Sequence, residues 1–254
     1  MGLRLGRVSY INSLPLFCAK PPFDVVSKCP SELNAMTARG ELDMSLISRW
    51  VFEGVAKDYR VLPEFCIAGD GEIMSVKIFS RVPLAKLAGR KICITSETGS
   101  SSRAFRHVVK KRHGFDIFSL EKAEIGSADA VLLIGNAALA FCDPDYGHVC
   151  DLGEMWKDVI GKKMIYASVV VRREIYDAAA AALAEYFEKS LGLFQVDRSR
   201  NILLAREMFA KSQGTAISVE TLDKYYSRLI YRLDENDYKE AFDIAAKLSE
   251  HERF

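Results

Sequence analysis

The stretch RKICITSETGSSSRAFRHVVKKRHG, residues 90–114, decides the fold class because it spells out a strand, a loop and a helix in succession. Residues 91–95 are typical of a buried strand, and 96–102 form a polar loop. Residues 103–113 have the apolar spacing of an amphipathic helix that ends at Gly114. Because strand–helix units of this kind build mainly parallel sheets, the stretch predicts an α/β fold.

The amino-terminal stretch RLGRVSYINSLPLF, residues 4–17, repeats this order. A strand ends at Val8, a polar cluster follows, and Pro15 suits the first turn of a helix, where its missing N–H costs little. Open α/β sheets bind ligands beyond the carboxyl ends of their strands. The polar cluster is therefore predicted to face a ligand.

The remaining pattern continues the alternation of strands and helices. Further strands are predicted at 23–29, 41–48, 73–82, 130–134 and 164–174, and further helices at 31–39, 175–191, 197–212, 218–232 and 237–250. Ser31 and Asp237 are predicted as helix N-caps.

The two long strands at 73–82 and 164–174 bracket a self-contained strand–helix segment. We therefore predict a discontinuous first lobe, 1–82 with 168–254, and an inserted second lobe, 83–167. Two such α/β lobes with a ligand cleft between them would form a type II periplasmic-binding-protein-like fold.

Composition argues against several classes of partner. The chain of 254 residues is 49% hydrophobic and 27% charged, with a formal net charge of +1. This composition is typical of a globular protein, and the near-neutral net charge gives no electrostatic reason to expect nucleic acid or an anionic membrane as a partner. The first eight residues hold two arginines and no apolar core of a secretory signal, which predicts a cytoplasmic location.

Motifs for metals and nucleotide cofactors are not found in the sequence. The six cysteines form no C-x-x-C pair and show no metal-ligand spacing with the four histidines, so we expect reduced thiols and no metal site. Neither a Walker loop nor a G-x-G-x-x-G fingerprint occurs. No cofactor is predicted, and the oligomeric state is left open.

Four predicted strand ends carry polar residues that suit a small anion. Hydroxyl and amide groups supply hydrogen bonds, and a helix N-terminus adds unpaired N–H donors. The candidates in the first lobe are Ser9, Asn12, Ser48 and Arg49, and those in the second are Thr95, Ser96, Ser100, Ser101 and Asn136.

Several segments together resemble a known enzyme family, the chorismate dehydratases of the futalosine route to menaquinone. They are, in chain order, VSYINSLPLF, GELDMSLIS, SVKIFSRVPLAKLAGRKICITSETGSSS, LLIGNAAL and DLGEMWKDVIG. The chain departs from the usual family pattern at Asn136, where an Asp is common, and at Lys162 and Lys163, where Leu-Pro is common.

The resemblance implies a lyase that removes water from chorismate, a dicarboxylate, without a cofactor. It implies that Asn12 is the catalytic amide and that the other eight candidates contact the substrate. Since a neutral amide is a poor base, we assign Asn12 to orienting the substrate and to hydrogen bonding in the transition state.

Three other classes share the predicted fold. A solute-binding protein would normally carry an export signal, and the effector domain of a transcription regulator would need a helix-turn-helix. The sister enzyme of the same route, dihydroxynaphthoate synthase, is expected to have a catalytic histidine near Asn136. Residues 136–141 read NAALAF and contain none, which favours the dehydratase.

Overall fold

The computed structural model describes residues 2–117, 120–121 and 125–250. The chain forms two compact units, one comprising Met1–Ala68 with Ile165–Phe254 and the other Gly69–Met164. The first unit is thus discontinuous in sequence, with the second inserted into it.

The strands among the described residues are, in chain order, β1 (Arg4–Val8), β2 (Asp24–Lys28), β3 (Met44–Ser48), β4 (Tyr59–Gly69), β5 (Val76–Ser80), β6 (Ile92–Ile94), β7 (Leu120–Glu121), β8 (Ala130–Ile134), β9 (His148–Asp151), β10 (Met164–Arg172) and β11 (Leu229–Arg232).

The α-helices of the same residues are α1 (Pro30–Ala38), α2 (Phe52–Val55), α3 (Gly99–His113), α4 (Gly135–Ala140), α5 (Leu152–Ile160), α6 (Tyr176–Val196), α7 (Arg198–Gln213), α8 (Val219–Arg228) and α9 (Glu235–Glu250). Short 3₁₀ helices occur at Ile11–Phe17, Arg49–Val51, Leu84–Lys86, Ile125–Ser127 and Arg173–Ile175.

The first unit is built on a six-stranded sheet in the order β11-β4-β10-β3-β1-β2. Strand β1 runs parallel to β2 and β3, whereas β10 pairs antiparallel to β3. The central strands β3, which reads MSLIS, and β10, which reads MIYASVVVR, are almost entirely buried, as expected for strands covered on both faces. Helix α6 is rich in alanine and packs Phe187 against Phe17 at a ring separation of 5.9 Å.

The second unit has a five-stranded sheet in the order β7-β6-β8-β5-β9. Strands β6, β7 and β8 are parallel, and β5 pairs antiparallel to both β8 and β9. Phe79 and Val131 anchor one of its clusters of buried side chains, together with Tyr146. The prediction of mainly parallel sheets is therefore only partly correct, because both sheets contain antiparallel pairs as well as parallel ones.

The predicted lobe boundaries differ from the bounds of the units. The first predicted lobe extended to residue 82, which includes β5, but the hydrogen bonds of β5 go to β8 and β9 of the second unit. The later predicted boundary, 167/168, falls inside β10, three residues beyond the start of the unit at Ile165.

Two predicted N-caps are wrong because the helices begin earlier. Helix α1 starts at Pro30 and is capped by Cys29, whose backbone and side chain share a capping box with Glu32, so Ser31 lies inside the helix. The N–H of Asp237 donates to Asp234 Oδ1 at 2.9 Å, and α9 has begun by Glu235.

Candidate active site

The turn after β1 is closed by Ser13, which is fully buried. Its hydroxyl donates to the carbonyl oxygen of Val8 at 2.6 Å, and its N–H donates to the carbonyl of Tyr10 at 3.2 Å. This local bonding folds the chain sharply from the strand into the 3₁₀ helix Ile11–Phe17. Ser13 is thus structural, and its neighbour Asn12 lies in the first turn of that helix.

The side-chain amide of Asn12, the predicted catalytic group, lies in this first turn. The residue is half-buried, and its Oδ1 atom is buried and has no hydrogen-bond partner among the described residues. A buried acceptor without a donor costs about 1–3 kcal/mol, so native structures rarely keep one without a reason. A ligand that donates a hydrogen bond to Oδ1 would remove this penalty.

Ser9 follows β1, and Ser48 is the last residue of the neighbouring strand β3. Because β1 and β3 are parallel, with Leu5 opposite Met44, their carboxyl ends lie at the same edge of the sheet. Ser9 is exposed, and the N–H of Ser48 donates to Asn34 Oδ1 at 3.2 Å. The structure therefore brings Ser9, Asn12 and Ser48 to one edge of the first unit.

Arg49 is predicted to contact the substrate with Ser9, Asn12 and Ser48, but its guanidinium already has partners in the first unit. Only 1% of the residue is exposed, and its Nη1 contacts Glu53 Oε1 at 2.8 Å. Its Nε donates to the carbonyl of Phe242 at 3.0 Å, and its guanidinium lies 3.5 Å from the centre of the Phe242 ring. These contacts favour a role in attaching α9, and binding of substrate by Arg49 stays a prediction.

Arg7 is a residue of interest that the sequence reasoning missed. Its Nε donates to Ser13 Oγ at 3.1 Å, while its Nη2 is buried and without a hydrogen-bond partner in the part of the chain that the structure describes. Burial lowers the pKa of the guanidinium, and the groups that oppose this effect are Tyr186, Cys18 and Tyr226, none of them a carboxylate. A buried cation without a carboxylate beside it is suited to an anionic ligand.

The loop after β6 is a compact threonine turn. The Thr98 hydroxyl donates to the carbonyl of Thr95 at 3.0 Å and lies 3.1 Å from the N–H of Thr95. Thr95 Oγ1 in turn accepts from the N–H of Glu97 at 3.3 Å. Thr95 is half-buried and Ser96 is exposed at this turn.

Helix α3 begins at Gly99, four residues before the predicted start, so Ser100 and Ser101 lie in its first turn. Ser101 is half-buried, and the Ser100 side chain lies outside the described part of the structure. This first turn has no acidic residue and no side-chain cap, so no carboxylate of its own competes with an external anion.

Asn136 lies at the same edge of the second sheet, because β8 is parallel to β6 with Ile94 opposite Leu132. It is 3% exposed and sits in the first turn of α4. Gly135 before it has a φ of +61°, a left-handed value that favours glycine, and donates its N–H to the carbonyl of Ser75 at 2.7 Å.

Asp151 holds the segment that precedes β5 in place, and the sequence reasoning did not identify it. Its carboxylate caps α5 and accepts the N–H groups of Ile73 at 3.2 Å and Met74 at 2.7 Å. Burial raises the pKa of Asp151, and the N–H donors oppose that effect. The segment that Asp151 holds leads directly to Ser75, the acceptor for Gly135.

The described residues contain neither a metal-binding cluster nor a membrane-spanning helix. No cluster of three or more His, Cys, Asp or Glu side chains there could hold a metal ion. All six cysteines are free thiols. No helix in the described ranges has the length and apolar character needed to cross a membrane.

The fold class is defined by comparison with solved structures. The chain resembles a protein of Archaeoglobus fulgidus with a TM-score of 0.76 at 15% identity, covering 98% of this chain and 97% of that one. It resembles the periplasmic aliphatic sulphonate binding protein of Escherichia coli with a TM-score of 0.63 at 14% identity, covering 98% and 92%. The protein is thus an α/β protein with a periplasmic-binding-protein-like fold.

The family follows from the sequence itself. The family model described as menaquinone biosynthesis matches residues 3–246, so the chain belongs to that family. It is 29% identical over 191 residues to the chorismate dehydratase of Thermus thermophilus, covering 67% of this chain and 70% of that protein. It is 25% identical over 228 residues to the 1,4-dihydroxy-6-naphthoate synthase of Streptomyces coelicolor, covering 86% and 79%.

Proposed function

We propose that this protein is a chorismate dehydratase, which converts chorismate to 3-[(1-carboxyvinyl)oxy]benzoate and water. The observation that carries the proposal is the unpartnered Oδ1 of Asn12. The identity to a chorismate dehydratase supports the same substrate. An enzyme of menaquinone biosynthesis that uses this metabolite is expected to act in the cytoplasm.

The reaction needs orientation more than a strong protein base. The ring carbon that bears the enolpyruvyl ether loses its proton, which is acidified by conjugation to the ring carboxylate. The neighbouring carbon then loses its hydroxyl group, and the ring becomes aromatic. The proton and the hydroxyl leave together as water, so no oxidant or cofactor enters the balance.

In this proposal Asn12 orients the substrate and hydrogen-bonds to it, with Oδ1 as acceptor and Nδ2 as donor. The base is the substrate's own enolpyruvyl carboxylate. The Arg7 guanidinium supplies positive charge near the Asn12 turn, where it would favour a bound carboxylate. Ser9 and Ser48 add polar groups at this edge.

In the second unit, Thr95, Ser96, Ser100, Ser101 and Asn136 are proposed to contact the substrate. The first turn of α3 offers N–H donors and hydroxyls for a carboxylate. Asn136 replaces the aspartate common in the dehydratases, so it donates hydrogen bonds where that residue could only accept them.

The test is to incubate purified protein with chorismate, without added cofactor, and to follow the product by chromatography and mass spectrometry. We expect a product lighter by one water, and at least a hundredfold loss of kcat in Asn12→Ala, about the scale of one lost transition-state hydrogen bond. Asn236→Ala is the matched control, because Asn236 is an exposed residue on α9.

The other outcomes separate the alternatives. Chorismate that binds and stays intact would make the protein a binder of small anions. Chorismate that neither binds nor reacts would contradict the substrate assignment, and turnover of the sister enzyme's substrate would identify that activity instead.

A further inference from the structure

Two tyrosine hydroxyls bind successive carbonyl oxygens at the start of the Asn12 turn. Tyr226 Oη donates to the carbonyl of Ile11 at 2.9 Å, and Tyr231 Oη donates to the carbonyl of Asn12 itself at 2.9 Å. Both tyrosines come from the end of the first unit, at α8 and β11, more than 200 residues along the chain.

The position of Pro15 explains why the carbonyl of Asn12 needs a partner. In a 3₁₀ helix this carbonyl would accept the N–H of residue 15. Residue 15 is a proline and has no N–H to donate. Tyr231 therefore supplies the hydrogen bond that the proline cannot, and Tyr226 adds a second bond at the preceding carbonyl.

The tyrosines are held firmly and remain donors. Tyr226 is 4% exposed, and its ring packs edge-on against Phe194 at 4.9 Å. Burial raises the pKa of both hydroxyls well above the usual value, so they stay protonated at neutral pH. A rigid aromatic side chain that ends in a protonated hydroxyl fixes the acceptor carbonyl in place.

We propose that Tyr231, supported by Tyr226, is a positioning residue for Asn12. It fixes the peptide unit from which the Asn12 amide projects, and thereby sets the direction of that amide towards the substrate. This inference rests on the proposed function, since the amide matters only if Asn12 acts on a ligand.

The kinetic test compares Tyr231→Phe, Tyr226→Phe and the double variant with the parent enzyme. We expect Tyr231→Phe to lower kcat about tenfold with little change in KM, within the hundredfold that about 1 Å of misplacement can cost. Tyr59→Phe is the matched control, because Tyr59 Oη also donates to a buried backbone carbonyl, that of Leu42, at 2.6 Å. A kcat unchanged in Tyr231→Phe, or lowered equally in Tyr59→Phe, would overturn the proposal.

A second measurement detects the hydrogen bond from Tyr231 and does not depend on catalytic activity. Of the five asparagines, only Asn12 precedes a serine, so labelling asparagine with ¹³C at the carbonyl and serine with ¹⁵N gives one correlated NMR signal, that of the Asn12–Ser13 peptide. We expect the ¹³C chemical shift of the Asn12 carbonyl to change in Tyr231→Phe and to remain the same in Tyr59→Phe. An unmoved shift would overturn the inference even in an active enzyme.

The Pro15→Ala variant adds an internal check. It restores an N–H at residue 15, so Tyr231→Phe should cost less kcat in this background than in the parent. An equal cost in both backgrounds would contradict the compensating role. If the parent enzyme leaves chorismate intact, the proposed function fails, while the carbonyl signal still tests the hydrogen bond.

Discussion

The carboxylate of Asp151 accepts the backbone N–H of Met74 at 2.7 Å, and Met74 has a left-handed φ of +65°. A non-glycine residue in this region costs of order 1–3 kcal/mol and persists only where its surroundings hold it. The next residue, Ser75, binds the N–H of Gly135 ahead of Asn136. Asp151 thus fixes a strained segment on which a candidate substrate contact depends.

Replacing Asp151 with alanine should lower the free energy of unfolding by about 2–4 kcal/mol, because the α5 cap and two buried N–H partners are lost together. Urea unfolding monitored by fluorescence measures this. Asp177→Asn is the control, since the Asp177 side chain is 96% exposed and its loss should change stability by less than about 0.5 kcal/mol. Equal effects of the two variants would contradict the role of Asp151.

The pKa of Asp151 also predicts a pH dependence. Because burial raises this pKa in the folded state, the folded protein holds the proton more strongly than the unfolded chain does. The stability contributed by the protonated group is fully present below the unfolded pKa and is lost as pH rises through the folded pKa. The unfolding free energy of the parent relative to Asp151→Asn should therefore fall as pH rises through and above the ordinary Asp pKa of about 3.9. A rising difference would show that the N–H donors outweigh burial.

Replacing Arg7 with methionine should weaken substrate binding without weakening the fold. We expect KM for chorismate to rise about tenfold, the scale of one charge-assisted hydrogen bond. Stability should stay equal or increase, because a buried cation with no acid beside it is replaced by an apolar chain of similar length.

The control is Arg60→Met. The Arg60 guanidinium lies over the Tyr176 ring at 3.7 Å, as that of Arg7 lies over the Phe17 ring at 5.1 Å, but Arg60 is on a strand remote in sequence from Asn12. KM and urea midpoints are measured for both variants. A fall in stability with unchanged KM would make Arg7 a packing residue only.

Gly6→Ala should destabilise the protein by about 1–3 kcal/mol through overpacking. A Cβ at Gly6 would lie 2.4 Å from Ser45 Oγ and 2.9 Å from a methyl carbon of Leu42. Ser45→Ala removes the nearer atom, so the double variant should lose less than the sum of the single losses in thermal unfolding. Gly54→Ala is the control, because nothing lies within 4 Å of that position. Strict additivity would show that the strand shifts to make room.

Local pattern predicted several elements well. The apolar run before Gly135 placed β8 at residues 130–134, where the structure has it. The alternation before Ser9 placed the end of β1 at Val8. Both strands are short, apolar and followed by turn residues, so no distant contact is needed to define them.

Elements that depend on distant contacts were missed. Strand β4 contains Pro63 and a left-handed Glu64 with a φ of +72°, which interrupt any strand pattern, and Arg232 contacts Glu64 at 2.8 Å. Strand β11 continues directly from α8, so its residues looked helical in the sequence. The strand forms because the sheet offers an open edge at β4.

The same holds for the candidate site. Asn12 and the serine-rich loop became candidates because they follow strands, and the catalytic role of Asn12 came from the family resemblance. Arg7 was missed because its distinguishing feature is a buried guanidinium without a carboxylate beside it, and only the fold shows that feature. Arg49 was predicted to bind substrate because an arginine follows a strand end, but only the fold shows its contacts with Glu53 and Phe242.

The bond from Tyr231 to Asn12 joins residues that lie 219 positions apart. At about 5–20 residues per second, a ribosome releases Tyr231 roughly 10–40 s after Asn12 has been made. During that interval the nascent chain has the Asn12 amide but lacks the Tyr231 hydroxyl. Under the proposed role of Tyr231, the alignment needed for turnover is therefore completed late in synthesis, and a chain interrupted before Tyr231 would retain its amide without that alignment.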